Sequence, residues 1–432
     1  MKKIVAISLA ALMAINTVGC SQSSGSSSGS GSGSSKATTG TITLLLSEEP
    51  SDSDPLTISC KAWEKATGNS VKMTVIPYDD QETKWPTMSK SGQVPDLMTS
   101  TGIHQLYESD FVDMQKEFDL SDFDTNCVKL LATSYTSSKV TGLPEDESIT
   151  NMYYNKDAFK KAGLTAPIKN SDAWTWDEFY KNMKTLQSKA SVKYGFACDF
   201  SRARYDNLMY SFGGSLVKKV SSKWQVTAAQ SESVAALTLF SKMNQDGTMP
   251  KQIWAGGTTD NPANYFTNGD VGVLLSGCWK YNKFSTDITK FKWGVMVSPK
   301  QKVQSCISGG SALAVPAKAK NKDLAMSFLK WFYTKDNYQT FINNTQQLSV
   351  LKDVKFAPSK AEDISNWDVM NEEAKNITST YLTDESSNWR QYLNDDYRTF
   401  LSKAAAGSMT PQQALEGFAK ELNQKSGWEI AK

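Results

Sequence analysis

The sequence predicts an α/β fold in which mostly parallel sheets are flanked by helices. Thr41–Leu46 (TITLLL) is a continuous apolar run, which is typical of a strand buried on both faces of a parallel sheet. Strand-like and helix-like segments then alternate along the chain, as they do in sheets with helices on both faces. No internal repeat of solenoid length interrupts this pattern. We therefore expect the chain after residue 40 to fold as α/β domains.

The first part of the chain carries clear signals for helix ends. Asp54-Pro55 is an expected cap followed by a first-turn proline, and Gly68 stands where that helix should end. The other elements expected here are a strand over 71–75, where apolar and polar residues alternate, a helix opened by the capping-box pair Asp79 and Glu82, and a strand that begins at Pro95-Asp96-Leu97-Met98.

The later part of the chain continues the alternation. Thr175 precedes Trp176-Asp177-Glu178 and can cap the helix that follows. Asn321 is an expected cap for a helix with one apolar face, formed by residues 324, 328, 331 and 332. The remaining expected elements are a strand over 151–154, a helix over 157–162, a buried strand over 271–275 and a last long helix opened by Thr410-Pro411.

The N-terminus has the features of an exported, anchored protein. Lys2 and Lys3 precede an uncharged apolar run over residues 4–15, which is shorter than the about 20 residues that span a bilayer. Thr17-Val18-Gly19-Cys20 resembles the lipobox of bacterial lipoproteins, with Thr17 in place of the usual leucine. We expect a signal peptide over residues 1–19, lipidation of Cys20 and a Ser/Gly tether up to residue 40. The alternative is ordinary secretory cleavage nearby, with Cys20 lost or free.

Charge balance bounds the class of partner. The chain has 47 basic and 45 acidic residues, and the leader accounts for two of the lysines, so the rest of the chain is balanced at 45 of each. Phosphate backbones are bound by concentrated Lys and Arg, so this balance argues against nucleic acid as a partner. It suits a neutral ligand. We expect the protein to be a monomer.

Cysteine and histidine usage limits the chemistry. Five cysteines remain once Cys20 is assigned to lipid, and their wide spacings match no zinc pattern. We expect them to be small buried apolar side chains, and we expect no metal and no cofactor. His104 is the only histidine, and no nucleophile elbow, phosphate loop, dinucleotide motif or HExxH motif accompanies it. We interpret His104 as a polar residue at a strand end and the protein as a non-enzyme, with no catalytic residue, although carboxylate-pair chemistry stays open.

Several stretches, taken together and in order, have the spacing of known family motifs. The most specific is Gly142-Leu143-Pro144 through Tyr153-Tyr154-Asn155-Lys156-Asp157, which resembles a GLP…YYNKD pattern. The others are residues 62–68, Tyr78-Asp79-Asp80, Gly92 with Pro95-Asp96, residues 176–179, Phe266 with Gly269 and residues 276–279, and Gly309-Gly310 with residues 325–328. In these stretches the chain resembles extracellular solute-binding proteins of the carbohydrate-importer class, the group that includes maltose-binding protein.

The resemblance implies a two-lobed, type II periplasmic-binding-protein-like fold, with a mostly parallel sheet in each lobe and a ligand cleft between the lobes. The first lobe would take residues 41–145 and 300–345, and the second would take residues 146–299 and 346–432. It implies capture of a sugar or oligosaccharide by closure of a hinge near residues 143–149. The sugar would then be delivered to the transmembrane subunits of an ABC permease, at the extracellular face of the cytoplasmic membrane.

Candidate ligand contacts follow from where the family places them and from sugar chemistry. A sugar has an apolar C–H face that stacks on aromatic rings and a rim of hydroxyl groups that hydrogen-bond to charged or amide side chains. Trp279 is the first candidate, because it follows a predicted strand and a Ser-Gly turn where the family places a stacking aromatic residue. Glu48 and Glu49 follow the first strand, where the family often has a polar sugar contact, although acids at strand ends are commonly just solvated.

Further candidates lie in the second predicted lobe and in the second glycine pair. Asp199, Arg202 and Arg204 follow a predicted strand, and surface salt bridges are the equally simple interpretation. Gly309 and Gly310 would let backbone approach a ligand closely, or are plain turn glycines. Trp389 and Tyr392 match a region where the family has another aromatic wall. Trp174, Trp176 and Trp331 are better explained by packing.

Three alternatives stay open from the sequence. A secreted lipoprotein glycosidase would also be rich in tryptophan and would carry two cleft carboxyl groups. A surface adhesin would bind carbohydrate polymers without closing two lobes. Within the binding-protein interpretation, the ligand could be a peptide, a polyol or another small polar solute.

Overall fold

Eleven strands form in the residues that the computed structural model describes, which are 39–76, 78–256 and 261–431. The predicted signal peptide, Cys20 and most of the Ser/Gly tether lie outside these residues. The strands are Thr41–Leu46 (β1), Ser70–Val75 (β2), Leu97–Ser100 (β3), Leu143–Asn155 (β4), Tyr194–Cys198 (β5), Val217–Val220 (β6), Lys223–Val226 (β7), Val271–Gly277 (β8), Trp293–Met296 (β9), Ser308–Ala314 (β10) and Glu429–Ile430 (β11).

Helices alternate with these strands, as the sequence predicts. In chain order they are Pro55–Thr67 (α1), Tyr78–Ser91 (α2), Ile103–Leu106 (α3), Thr125–Leu131 (α4), Lys156–Ala162 (α5), Trp176–Ala190 (α6), Arg202–Ser211 (α7), Ser231–Gln245 (α8), Lys251–Trp254 (α9), Pro262–Thr267 (α10), Tyr281–Asp287 (α11), Lys322–Phe332 (α12), Lys335–Thr345 (α13), Ala361–Ala374 (α14), Ser379–Ser386 (α15), Arg390–Ala405 (α16) and Pro411–Ser426 (α17).

Local residues set several helix ends at the predicted places. α1 has Pro55 in its first turn and ends at Gly68, whose φ of 75° is in the left-handed region that favours glycine. At α6 the Thr175 hydroxyl accepts from the Glu178 N–H, and the Glu178 carboxylate accepts from the Thr175 N–H at 2.7 Å. Thr410 forms the same kind of capping box at the start of α17. These three predictions are confirmed.

Two predicted caps differ from the structure. Neither Asp54 nor Asn321 makes a side-chain cap bond to the helix that follows it. The backbone N–H and the Nδ2 of Asn321 instead donate to the Asp96 carboxylate, at 2.8 and 3.2 Å. Asp96 also accepts from the hydroxyl of Thr43 at 2.9 Å. A bond between distant segments therefore takes the place of the local cap and ties β1 to the start of α12.

The main sheet has eight strands and is mixed. Its order is β2-β1-β3-β10-β4-β8-β5, with β9 paired to β4, and a separate small sheet has the order β11-β7-β6. β1 pairs in parallel with β2 and β3, and β5 pairs in parallel with β8. Between these parallel sets, β10 and β4 pair antiparallel with each other and with their outer neighbours. Two parallel sets are thus joined by antiparallel strands, which local sequence patterns do not reveal.

Separate hydrophobic cores lie on the two sides of this join. The first core contains Leu44 of β1 and Phe328 of α12, whereas the second contains Phe196 of β5 and the third contains Leu274 of β8. β4 has Leu143 in the first core and its later residues in the other two, but residues 144–148 belong to none of these cores. The chain therefore crosses between cores along β4, beside β10. The exact lobe boundaries stated above stay a prediction.

The cysteines have the predicted environment. Cys60, Cys127, Cys198, Cys278 and Cys306 are all free and buried. Burial raises the pKa of the Cys278 thiol to about 12, so it stays protonated at neutral pH. Among the described residues, no helix has the length and apolar character needed to cross a membrane, and no group of three potential metal ligands comes together.

Candidate ligand-binding site

Trp279 lies just beyond the carboxyl end of β8, in the short turn over Cys278–Lys280. Its side chain is one of the few large apolar groups left open, with 38% of its surface exposed. The ring lies over Gly277, where a Cβ would stand 1.8 Å from the indole. The glycine therefore makes room for the ring, and the Ser-Gly turn predicted from the sequence positions an open aromatic surface.

Arg204 lies against this indole. Its guanidinium carbon is 5.0 Å from the Trp279 ring centroid, and its Nε donates to Asp199 Oδ2 at 2.9 Å. The Ser276 hydroxyl donates to the same oxygen at 2.8 Å. β5 and β8 are parallel neighbours, so the residues that follow them meet at one edge of the sheet. The structure thus brings together Trp279, Arg204 and Asp199, which the sequence singled out, and adds Ser276.

Arg204 keeps hydrogen-bonding capacity for a ligand. The residue is 6% exposed, and its ion pair with Asp199 uses Nε alone. The two terminal nitrogens have no hydrogen-bond partner among the described residues. A buried guanidinium with two such donors beside an aromatic surface can hydrogen-bond to the hydroxyl groups of a polar solute.

Arg202 has a different role from Arg204. Its terminal nitrogens are occupied by Asp206 at 2.8 Å and by Glu385 at 3.0 Å. Burial raises the pKa of Asp206 to about 6, even though the Arg202 charge acts in the opposite direction. Burial also acts to raise the pKa of Glu385, but Arg202 and Arg390 outweigh it, and that pKa lies below its ordinary value. The structure therefore places Arg202 in a buried ion network, not in an open position for ligand.

The aromatic wall expected at Trp389 and Tyr392 is not formed by Trp389. Trp389 is fully buried in the second core, with its ring centroid 5.4 Å from Tyr397 and 5.7 Å from Phe418. Packing against α17 turns this side chain inward, so it has no open face for a ligand. Tyr392 is half-buried and lies 5.4 Å from the Trp428 ring, and its role with a ligand stays a prediction.

Glu48 and Glu49 follow β1 and are both exposed. They stand at the carboxyl end of the first parallel set of strands, next to Ser47, whose hydroxyl accepts from the Gln81 amide at 3.0 Å. The structure gives them the predicted place after a buried strand. Their contact with a ligand stays a prediction.

Gly309 and Gly310 lie in β10, opposite Ser148 and Glu147 of β4. Gly310 has a φ of 146°, and a Cβ there would be 2.1 Å from the Asp146 carbonyl oxygen. At Gly309 a Cβ would make an ordinary contact of 3.4 Å with the Ser148 hydroxyl. Gly310 is thus required by strand pairing in the crossing segment, whereas Gly309 has room.

Three consecutive acids line the same crossing segment, which the sequence analysis did not single out. Ser311 Oγ donates to Glu145 at 2.8 Å, and Ser308 Oγ donates to Glu147 at 2.9 Å. Burial, with a further contribution from the neighbouring Asp146 charge, raises the pKa of Glu145 to about 8. The only available signal was their position within the predicted hinge, residues 143–149.

His104 is structural. It lies in α3, just after β3, and is fully buried. Nδ1 is 2.8 Å from the Ser100 hydroxyl, and Nε2 is 2.8 Å from the Leu131 carbonyl oxygen. Burial lowers its pKa to about 4, so the ring is neutral at physiological pH. The predicted strand-end position is close to the observed one, although the residue belongs to the next helix.

Comparisons with known proteins point to one family. The family model described as bacterial extracellular solute-binding protein matches residues 49–339. A galactooligosaccharide-binding protein of Bacillus subtilis is 22% identical over 391 residues, which are 87% of this chain and 88% of that protein. A putative binding protein of Brucella abortus is 26% identical over 310 residues, covering 68% and 72% of the two chains.

Solved structures with the same architecture confirm the predicted fold class. An ABC substrate-binding protein of Listeria monocytogenes, in complex with cycloalternan, superposes with a TM-score of 0.77 at 21% identity, over 90% of this chain and 100% of that one. Maltose-bound MalE3 of T. maritima gives a TM-score of 0.75 at 18% identity, over 89% and 99%. The chain has the two-lobed α/β fold of these binding proteins.

Proposed function

The chain belongs to the bacterial extracellular solute-binding protein family, and from this premise we propose that it captures a sugar or oligosaccharide and delivers it to an ABC permease. The Bacillus subtilis relative is named for galactooligosaccharides, and a 25% identical relative of Streptococcus mutans is a multiple sugar-binding protein. The two structures of the same fold hold cycloalternan and maltose. These names support a carbohydrate ligand.

The single observation that carries the proposal is the open indole of Trp279 beside the unused donors of Arg204. An indole stacks on the C–H face of a pyranose ring, and a buried guanidinium hydrogen-bonds strongly to its hydroxyl groups. The Asp199 carboxylate balances the Arg204 charge at 2.9 Å. A balanced site of this kind suits a neutral sugar better than an anionic solute, which would gain from an unpaired cation.

Capture would couple ligand contact to closure of the two lobes. Trp279 and Arg204 belong to the side of the second and third cores, whereas Glu48 and Glu49 follow β1 on the side of the first core. A ligand that touches both sides stabilises the closed form over the open form, so binding and closure are one free-energy event. The adjacent crossings of β4 and β10 are the proposed hinge, and Gly309 in β10 is the proposed point of close backbone approach to the ligand.

We also propose the location and state that the sequence predicts. The protein would stand at the extracellular face of the cytoplasmic membrane, anchored by lipid on Cys20 and held away from it by the Ser/Gly tether. It would act as a monomer, with the transmembrane subunits of the permease as its partners. The signal peptide, Cys20 and the tether support this proposal at the level of sequence.

The protein would act as a binder and not as an enzyme. Members of the matched family are solute-binding proteins. His104, the one histidine, is buried and hydrogen-bonded within the fold. A glycosidase would release product from an oligosaccharide, and an adhesin would bind polymers without closing. Neither alternative is favoured by a specific contact in the described residues.

A thermal-shift screen tests the proposal. The purified protein would be melted with mono- and oligosaccharides, including maltose and galactooligosaccharides, and with polyols and dipeptides as the competing classes. A ligand at 100 times its Kd stabilises the fold by about 2.7 kcal/mol, so a sugar that binds should raise Tm measurably. Stabilisation by a dipeptide or a polyol alone would contradict the sugar proposal. Release of shorter products from the bound oligosaccharide would show a glycosidase.

A further inference from the structure

Arginine is rare in this chain and is confined to two segments. Of 47 lysine and arginine residues, four are arginine: Arg202, Arg204, Arg390 and Arg398. Each guanidinium carbon lies between 5.0 and 5.9 Å from the centroid of an aromatic ring. Arginine stacks its planar group and shares hydrogen bonds in a rigid fork, which lysine cannot do. The other basic residues of the chain are lysines, so arginine at these four positions indicates that the planar geometry of the guanidinium matters there.

Arg390 is the arginine that joins the two sides of the molecule. It begins α16 directly after Trp389, which is part of the second core. Its Nη2 donates to the hydroxyl of Tyr135 at 2.7 Å, and its guanidinium carbon is 5.9 Å from the Tyr135 ring centroid. Tyr135 stands in the loop between Ala132 and Val140, both of which are in the first core. The contact therefore connects residues 255 positions apart, across the two cores.

A second observation places the meeting point of the cores at the same loop. Leu130, which precedes this loop, packs against both the first core and the second core. Tyr135 itself is fixed to the first side, because its N–H donates to the Gln105 carbonyl oxygen at 3.3 Å. The backbone of Tyr135, whose hydroxyl Arg390 contacts, is thus bonded to the first side, while Arg390 belongs to the second.

Glu385 links this contact to the buried ion network. One Glu385 oxygen is 3.1 Å from Arg390 Nη2, and the other is 3.0 Å from Arg202 Nη2. Arg202 follows β5 at the same edge as Arg204. The chain of contacts therefore runs from Tyr135 through Arg390 and Glu385 to the segment that carries the proposed ligand donors.

We propose that Tyr135 and Arg390 form a latch between the lobes that sets how much of the ligand-free protein is closed. A contact made only in the closed form raises the closed population, and the apparent affinity for ligand rises with that population. Arg390 is a positioning residue in this scheme, because Glu385 holds its guanidinium in place for Tyr135. The regulatory consequence rests on the proposed capture by closure, but the latch itself is tested without any sugar.

Double electron–electron resonance, which measures the distance between two spin labels, tests the latch. Labels would be attached at Lys116→Cys and Lys219→Cys, two exposed positions on opposite sides, in a background that carries Cys20→Ser; the five cysteines in the described part of the chain are buried. The test variants are Tyr135→Phe, which removes the hydroxyl and keeps the ring, and Arg390→Lys, which keeps the charge and removes the planar fork. The matched control is Arg398→Lys, since Arg398 stacks on Phe200 within the second side.

The distance between the two labels should be shorter in the closed form than in the open form. Without ligand, Tyr135→Phe and Arg390→Lys should each shift the distance distribution towards the open form. The ratio of closed to open molecules should fall about tenfold, because each variant loses a hydrogen bond to a charged group. Arg398→Lys should keep the wild-type distribution, and all three variants should melt cooperatively. Unchanged label distances in both test variants would overturn the latch. A wild-type distance distribution in Arg390→Lys alone would also overturn it, because a positive charge without the planar guanidinium would then be sufficient. If no sugar binds in the thermal-shift screen, the proposed function is wrong, but the label distances still test the contact between Tyr135 and Arg390.

Discussion

Gly277 lies under the indole of Trp279, so close that a Cβ at position 277 would stand 1.8 Å from the ring. The last residue of β8 therefore limits where the ring of Trp279, two residues further on, can lie. Arg204 contacts the same ring from α7, with its guanidinium carbon 5.0 Å from the centroid. The position of the proposed stacking surface is thus set by two neighbouring elements, β8 and α7, and not by the flexibility of a single loop residue.

The first prediction concerns Gly277→Ala. The added methyl group must push the Trp279 ring off its present position, which disturbs its stacking with Arg204. We expect at least a tenfold loss of affinity for the sugar identified by the screen, measured by calorimetry, with a loss of Tm of only a few degrees because the displaced ring is at the surface. Wild-type affinity in this variant would show that the ring position is not needed.

The second prediction separates two neighbouring glycines in the crossing strand. Gly310→Ala places a Cβ 2.1 Å from the Asp146 carbonyl oxygen at a φ of 146°, so we expect a loss of about 2–4 kcal/mol in the free energy of unfolding. Gly309→Ala should cost less than about 1 kcal/mol, because its Cβ meets only an ordinary contact. Urea unfolding of both variants measures the difference. Equal losses would contradict the strand geometry.

The third prediction is a pH dependence from Glu145. Burial raises its pKa to about 8 in the folded protein, above the ordinary value of 4.5. The folded state therefore binds the proton more tightly, and the stability contributed by the protonated acid is present below pH 4.5 and is lost as pH rises towards 8. Glu145→Gln removes this loss.

Urea unfolding at pH 5 and pH 8 measures the effect. At each pH the free energy of unfolding of Glu145→Gln is compared with that of wild type. This difference should be more favourable to the variant at pH 8 than at pH 5, by on the order of 2 kcal/mol. The exposed Glu117→Gln is the control and should follow wild type at both pH values. A pH-independent difference between Glu145→Gln and wild type would contradict the assignment.

The fourth prediction distinguishes the two arginines of the first turn of α7. Arg202→Ala removes the ion pair of the buried Asp206 and leaves the buried Glu385 with Arg390 alone, so we expect a loss of about 3–5 kcal/mol in the free energy of unfolding. Arg204→Ala leaves the partly exposed Asp199 still bonded to Ser276, so it should cost less stability. It should lower sugar affinity at least tenfold, because two ligand donors are removed. Chemical unfolding and calorimetry, applied to both variants, give the comparison, and a reversed order would show that the roles are exchanged.

Much of the fold could be predicted from local sequence. The first-turn proline and Gly68 set α1, and the Thr175 and Thr410 capping boxes set α6 and α17, because these signals act within a few residues. The prediction was wrong for Asn321 as a cap, since its side chain bonds to Asp96, 225 residues away. The antiparallel join of β10 and β4 depends on pairing between residues more than 150 positions apart, which no local pattern shows.

The site was predictable where chemistry follows a strand end. Trp279, Asp199 and Arg204 come after buried strands, and parallel pairing of β5 and β8 brings them together. Trp389 shows the limit, because a tryptophan at a helix start gives no local sign of whether it faces a core or a cleft. Arg390 was missed for the same reason, although the rarity of arginine in this sequence was a usable signal.

The most direct test of sugar capture is calorimetry on Trp279→Ala. The titrant is the sugar that gives the largest shift in the screen, and Trp224→Ala, a tryptophan change in the separate small sheet, is the matched control. Trp279→Ala should stay folded and lose at least tenfold in affinity, while Trp224→Ala should bind like wild type. Unchanged affinity of a folded Trp279→Ala would contradict the account, because the stacking surface would then play no part in binding.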